Sequence, residues 1–275
     1  MNKSAGVLLG IVVAIGAISV GGAWYTGTKL EGVLQSTISD ANQQLQAAMV
    51  GSNGTASLEL VSLERHTFTS TAHYRLKAQG SFFGEQNPNP ELLFVDHIEH
   101  GPLPFSRLVT LKWLPVMATS HYELEKNATT EKWFAATKGA APLKGVTSIG
   151  YDESTTSTLD LLPFETALDE QSSLKFSGLS MDIAASAQAQ KVKADGYMDN
   201  LKLVTVSQDQ APVQVELNGL TLASNLTKSS YGYYTGENTL ELTNSKTTFG
   251  PKQSVLGVKS FEMKNLTEEN GSNAH

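Results

Sequence analysis

Between Lys3 and Lys29 the chain carries no charged side chain, and residues 5–25 are all apolar or small apart from the closing Trp24 and Tyr25. At about 1.5 Å of helical rise per residue, such a run matches a bilayer core of about 30 Å. Lys3 and the α-amino group precede it, which favours a cytoplasmic N-terminus. Trp24 and Tyr25 fall where amphipathic rings prefer to sit, at the far membrane interface. The reading is a cytoplasmic tail over 1–4 and a transmembrane anchor over 5–25. Its rival is a cleaved signal peptide, because Gly21, Gly22 and Ala23 suit a peptidase site. The run exceeds the usual h-region of roughly 7–15 residues, which favours the anchor. Either way the remainder of the chain is expected outside the cytoplasm. Gly6 and Gly10 form a GxxxG pair that permits, without requiring, a homodimer through the membrane helix.

Over 26–50, Leu30, Val33, Leu34, Ile38, Ala41, Leu45 and Met49 recur at helical spacing. The polar side of this stretch holds Gln and Ser rather than Lys or Arg. That predicts an amphipathic helix packed on the following domain rather than lying on a bilayer.

Strand patterning takes over after Gly54. In "FTSTAHYRLKA" the residues Phe68, Ser70, Ala72, Tyr74, Leu76 and Ala78 share one face. "ELLFVDHIEH" and "TSHYELEK" read as further strands. "NATTEKWFAATKG" reads as a short helix capped by Asn127 or Thr129, anchored by Trp133 and Phe134 and stopped at Gly139. "VTSIGYDESTTSTLDLLPF" reads as a hairpin turning at 152–156. The expected organisation is a β-rich region with one short helix over 51–172, then a repeat-like meander over 173–275.

That meander rests on a recurring pattern: apolar, any, Gly or Asn, Leu, polar. It occurs as "FSGLSM", "MDNLKL", "LNGLTL" and "MKNLT", with a degenerate "LTNSKT". The Gly/Asn positions are Gly178, Asn200, Gly219, Asn244 and Asn265. Both residue types tolerate positive φ, so each position is expected to bulge its strand, shift the register and curve the sheet. The fold class predicted is mainly β: the two N-terminal helices, then a curved antiparallel meander of repeat-like hairpins. A curved sheet with an apolar face needs a cover: it can close as a barrel, pack on a helix or hold something greasy.

The densest stretch chemically is "IEHGPLPF". His100, Gly101, Pro102, Pro104 and Phe105 are expected to build a structural corner. Gly101 would supply an unusual φ, Pro104 would start a helix at 105–108 that buries Phe105 and Leu108, and His100 would hydrogen-bond the corner to its neighbours. "HIEH" on a helix would set His97 and His100 on one face as zinc ligands. On a strand, residues three apart diverge, so no metal site is expected. A hydrolase using His100 with Glu99 or Ser106 is a lesser alternative; no GxSxG elbow and no phosphate-binding glycine loop accompanies them. No catalytic residue and no cofactor is assigned. With no cysteine, disulfides and thiolate sites are excluded. A net charge of −7 without a long basic run argues against nucleic acid.

Several blocks together resemble one family. "MNKS", "GGAWYTGTKLE", "HGPLPF" with "LPVMATS", and "IGYDESTTSTLDLLP" occur in the order found in the YdgA-like family of bacterial inner-membrane proteins. The resemblance implies an inner-membrane helix and a β-rich periplasmic region. It carries over no activity, cofactor or catalytic residue. Members are considerably longer, so a truncated or short form is expected, with an open sheet edge. In architecture alone the chain is similar to AsmA-like envelope proteins, some associated with phospholipid movement. The functional expectation is a non-enzymatic, inner-membrane-anchored periplasmic module that binds phospholipid or an envelope protein. The alternatives are a structural or interaction module with a dry core, and the hydrolase.

Overall fold

In the computed structural model, residues 30–49, 54–79, 89–206, 211–232, 234–250, 252–270 and 273–274 are described. The expected anchor, Trp24 and Tyr25, and the Gly6/Gly10 pair lie outside them. Among the described residues no helix is long and apolar enough to cross a membrane. The protein is mainly β and antiparallel, with few helices, and forms two compact units.

The first unit comprises 1–134 and 144–157. Helix α1 (Leu30–Met49) is followed by β1 (Thr55–Arg65), β2 (Thr69–Gln79) and β3 (Glu91–His100). Then come α2 (Phe105–Val109), β4 (Ala118–Leu124), α3 (Glu131–Ala136) and β5 (Leu143–Ile149), with β6 (Thr155–Leu161) beginning in this unit. The strands pair in chain order as a meander. Period-two burial decides which face is inside. Ala72, Tyr74, Phe94, Ile98, Ala118 and Tyr122 are buried, each no more than 2% exposed. From α1, the buried residues are Leu34, Ala41, Leu45 and Met49, on the predicted stripe.

Helix α1 also blunts the free edge of β1. Asn42 Nδ2 donates to the Leu58 carbonyl at 2.9 Å, and the Leu58 amide donates to Asn42 Oδ1 at 2.7 Å. One side chain thus satisfies both outward backbone groups of an edge residue, which would otherwise invite pairing with another chain. At α3, Asn127 and Thr130 cap reciprocally, with Asn127 Oδ1 and Thr130 Oγ1 each accepting the other's amide at 2.9 Å.

The second unit comprises 135–143 and 158–275. It holds the end of β6, then β7 (Phe164–Ala167), β8 (Ser173–Phe176), β9 (Leu179–Ala185) and β10 (Lys191–Val206). β11 (Pro212–Lys228), β12 (Tyr234–Phe249), β13 (Ser254–Val258) and β14 (Phe261–Thr267) follow; two short strands, β15 (Glu269–Asn270) and β16 (Asn273–Ala274), pair separately. The boundary expected at 172/173 falls earlier in the structure, because strands before it already pair with strands after it. β7 lies on β8 from Phe164↔Phe176 to Ala167↔Ser173, and Ser180 Oγ donates to Asp160 Oδ1 at 2.7 Å.

The expected register shifts at the repeat are absent. β10 pairs β11 in one register on both sides of Asn200↔Asn218, and β11 pairs β12 likewise on both sides of Asn218↔Asn244. β8 and β9 continue one register along β10, as Phe176↔Leu201 and Ser180↔Tyr197 show. β13 and β14 do the same along β12, with Val258↔Ser245 and Phe261↔Leu242. What the repeat marks is a seam running across the strands. β6/β7 is interrupted at 162–163, β8/β9 at 177–178 and β13/β14 at 259–260. Opposite these breaks the continuous strands carry Asp199-Asn200, Asn218-Gly219 and Thr243-Asn244. Pro163 lacks the N–H a ladder needs, which accounts for one break.

Of the five repeat positions, Gly178 (φ 97°) and Gly219 (φ 64°) have the left-handed backbone expected. The asparagines do not; their part is a side-chain ladder instead. Asn200 Nδ2 donates to Asn218 Oδ1 at 2.7 Å, and Asn218 Nδ2 donates to Asn244 Oδ1 at 2.8 Å. Asn265 lies off the seam, opposite Asn238.

Candidate functional site

Two places concentrate chemistry or exposed apolar surface: the corner after β3 with the loop it supports, and the sheet on either side of the seam.

At the corner, β3 runs through to His100, so His97 and His100 diverge as strand geometry requires. His100 belongs to the inner side. Its Nε2 lies 3.0 Å from Ser70 Oγ on β2, its amide donates to the Phe68 carbonyl at 2.8 Å, and burial lowers its pKa below the usual histidine value. Gly101 has no left-handed φ. It is needed for close approach: a Cβ there would overlap the Val116 carbonyl and lie 2.8 Å from that of Met117. Gly101 and Pro102 are joined by a cis peptide. Pro104 is buried and sits at the N-cap of α2, as its fixed φ suits. Phe105 reverses the expectation: it is 72% exposed, and Leu108 is only half-buried. α2 packs through Ser106 and Arg107 instead, which leaves Phe105 and Val109 facing outward.

Glu99 holds α2 in place from the outer face of β3. Its carboxylate accepts from the Ser106 amide at 3.1 Å and from the Ser106 hydroxyl. His121 Nε2 approaches Glu99 Oε2 only to 4.0 Å and finds no hydrogen-bond partner among the described residues. Burial lowers the His121 pKa, with Glu99 opposing and His97, its cross-strand neighbour, adding to the fall. The residues weighed for a hydrolase are therefore split. Ser106 is bound to a carboxylate rather than to an imidazole, and His100 faces away from both. Among the described residues no group of three or more His, Cys, Asp or Glu could hold a metal ion.

Local patterning assigns Asp96 no role, although it alternates with Phe94 and Ile98 on the apolar parity of β3. It is fully buried; Ser120 Oγ donates to its Oδ1 at 2.7 Å, while Oδ2 and the nearby buried Tyr74 Oη have no partner among the described residues. Burial raises the Asp96 pKa to about 7 against the pull of the serine. Burial and the neighbouring carboxylate together push Tyr74 well above its usual value. A carboxyl in this setting is favoured neutral.

Beyond the seam the sheet is amphipathic. One row runs Phe164–Phe176–Leu201–Leu217, the next Leu174–Leu203–Val215, and all seven residues are only half-buried. On β12 the rows are interrupted by polar Ser245 and Thr247, beyond which lie exposed Val258 and Leu256 on β13. The Phe164 and Phe176 rings stand 5.3 Å apart. Alternate positions form a charged row, Glu165–Lys175–Lys202–Glu216–Lys246, with ion pairs of 3.6 Å (Lys175–Glu165) and 3.2 Å (Lys202–Glu216). On the near side of the seam the apolar row is Met198–Leu220–Leu242–Phe261. Met198 and Leu201, like Leu217 and Leu220, are three apart. In an uninterrupted strand such positions face opposite sides of the sheet. The repeat is thus the place where apolar side chains change parity.

Fold and site together define a mainly β meander protein with a helix-capped edge, an exposed apolar loop and a half-covered apolar sheet. The chain belongs to the family described as bacterial protein of unknown function (DUF945), whose model matches residues 1–275. It is 29% identical over 246 residues to Protein YdgA of Escherichia coli, covering 88% of this chain and 48% of that protein. It is 28% identical over 161 residues to the uncharacterized protein YihF of Escherichia coli, covering 57% of this chain and 33% of YihF. An uncharacterized protein of Haemophilus influenzae is 26% identical over 159 residues, covering 58% and 42% of the two chains. The chain thus spans half or less of the length of these relatives. No solved structure matches it.

Proposed function

We propose that this chain is a non-enzymatic, inner-membrane-anchored periplasmic module that binds phospholipid, or another apolar envelope component, along the sheet of its second unit. The observation that carries the reading is the pair of half-buried rows Phe164–Phe176–Leu201–Leu217 and Leu174–Leu203–Val215. Leu and Phe side chains left partly uncovered forgo part of the roughly 25 cal/mol per Å² that full burial would return. An acyl chain laid along them would recover it. The charged row on alternate positions keeps the other side of the same strands in water. The uncharged segment over 5–25 supplies the anchor and, with Lys3 before it, the orientation.

Native mass spectrometry of the full chain, extracted in mild detergent, delipidated and re-exposed to phospholipid, tests this. The expected result is a lipid adduct that Leu203→Asp and Leu217→Asp abolish. Delipidated protein that takes up no lipid under any of these conditions would contradict it. The first unit, with Tyr74, Phe94 and Tyr122 filling its interior, favours a second reading for that region: a dry structural support.

A further inference from the structure

We infer that the loop after β3, residues 101–116, is an interfacial foot that inserts its apolar side chains into the headgroup region of an anionic lipid bilayer. Within this stretch Leu103, Phe105, Val109, Leu111, Trp113 and Leu114 are each at least 40% exposed, and Leu114 reaches 78%. Isolated exposed hydrophobes are ordinary, but six within twelve residues of one loop are not.

The loop is built to hold this surface outward. The Gly101 amide donates to Met117 O, and the Val116 amide donates to Pro102 O at 3.0 Å, which closes its base. Arg107 Nη2 donates to Leu114 O at 3.1 Å and Nη1 to Ser148 Oγ at 3.2 Å, tying the far side of the loop to β5. Glu99 fixes the start of α2 through Ser106. Leu111 has φ 57°, a left-handed conformation disfavoured for a branched side chain, and is 71% exposed. Strain at a solvent-facing leucine improves no packing within the unit; it sets where that side chain points.

The occupant follows from charge, composition and size. From Gly101 to Tyr122 there is no acidic residue, although the chain as a whole has net charge −7. Lys112 is exposed among the apolar side chains, and Trp113 is beside it. Exposed Trp, Leu and Phe side chains with a lysine among them are a composition that partitions at a bilayer interface. A stable protein interface draws on roughly 20–30 residues a side, more than this loop presents. The inference adds a second membrane contact to the anchor proposed above. It does not rest on lipid binding by the sheet.

The test uses the absence of cysteine. Leu111→Cys and, as a control on exposed β1, Glu64→Cys are each labelled in the full chain with an environment-sensitive dye. Each is then mixed with vesicles of phosphatidylethanolamine and phosphatidylglycerol carrying a nitroxide high on the acyl chain. Insertion to a depth of about 5–10 Å predicts quenching at 111 about threefold or more above that at 64. Replacing phosphatidylglycerol by phosphatidylcholine, or introducing Lys112→Glu, should reduce it. Equal quenching at the two positions overturns the inference. So does a dye response at 111 that follows protein concentration without lipid, which would point to a second copy. Vesicle flotation reports the anchor separately, so a failed anchor and a failed foot give different results.

Discussion

The two units solve one problem differently. In the first, the inner face of the sheet is closed: Ala72, Phe94, Ile98 and Ala118 are all fully buried, and Tyr74 nearly so. In the second, comparably apolar strands leave their rows half-covered and their last strands exposed, with Leu256 at 63%, Met263 at 52% and Leu266 at 60%. The lesson is about where stability comes from. The first unit draws on its own core, whereas the second relies on long backbone ladders and an amide ladder along the seam. A sheet held by its ladders can leave apolar surface for a ligand.

The largest effect expected concerns the cores. Phe94→Ala should cost about 3–5 kcal/mol in urea unfolding. Leu203→Ala, at a half-buried site, should cost about 1 kcal/mol in lipid-free protein. Equal losses would erase the contrast.

The next concerns the buried carboxyl. The folded pKa of Asp96 is about 7, above the ordinary 3.8. Its contribution is therefore fully present below about pH 4 and is lost as pH rises through 7, because the folded state then holds a proton the unfolded state has released. Relative to Asp96→Asn, the wild-type melting temperature should fall between pH 5 and pH 8; His100 and His121, whose pKa values burial lowers, slope the other way in both proteins. An unchanged slope in the variant would remove Asp96 from the account.

Smaller is the effect of Gly219→Ala, expected to cost about 1–3 kcal/mol. Its φ of 64° disfavours a side chain, and the added Cβ would meet Thr243 Oγ1. A neutral result would mean that the seam is not needed. Smallest are Asn218→Ala and His100→Ala, each removing side-chain hydrogen bonds and each expected to cost about 1 kcal/mol. The first should lower protection of the second unit and the second only that of the first.

What sequence could disclose follows from the range of the interactions. The stripe Leu34, Ala41, Leu45, Met49, the cap at Asn127 and the alternation of β2 are local patterns, and they were legible. The repeat was visible as a spacing, but its meaning was not. A bulge and a seam share the same Gly and Asn residues, and only cross-strand alignment of Asn200, Asn218 and Asn244 separates them. His100 could be placed at the corner, yet its partner Ser70 is 30 residues away. The exposure of Phe105 is not legible, because helix periodicity gives a face without saying whether anything lies against it. Asp96 left a signal, an acid on an apolar parity, that pattern reading passes over unless each exception is weighed.

On this reading the first unit is completed by its own core and the second by a bound lipid. Hydrogen exchange of the full chain with and without phospholipid tests it most directly. Lipid should slow exchange in β10, β11 and β12 on the far side of the seam and leave β2, β3 and β4 unchanged. Strong protection of β10–β12 without lipid, with no change on adding it, would contradict it.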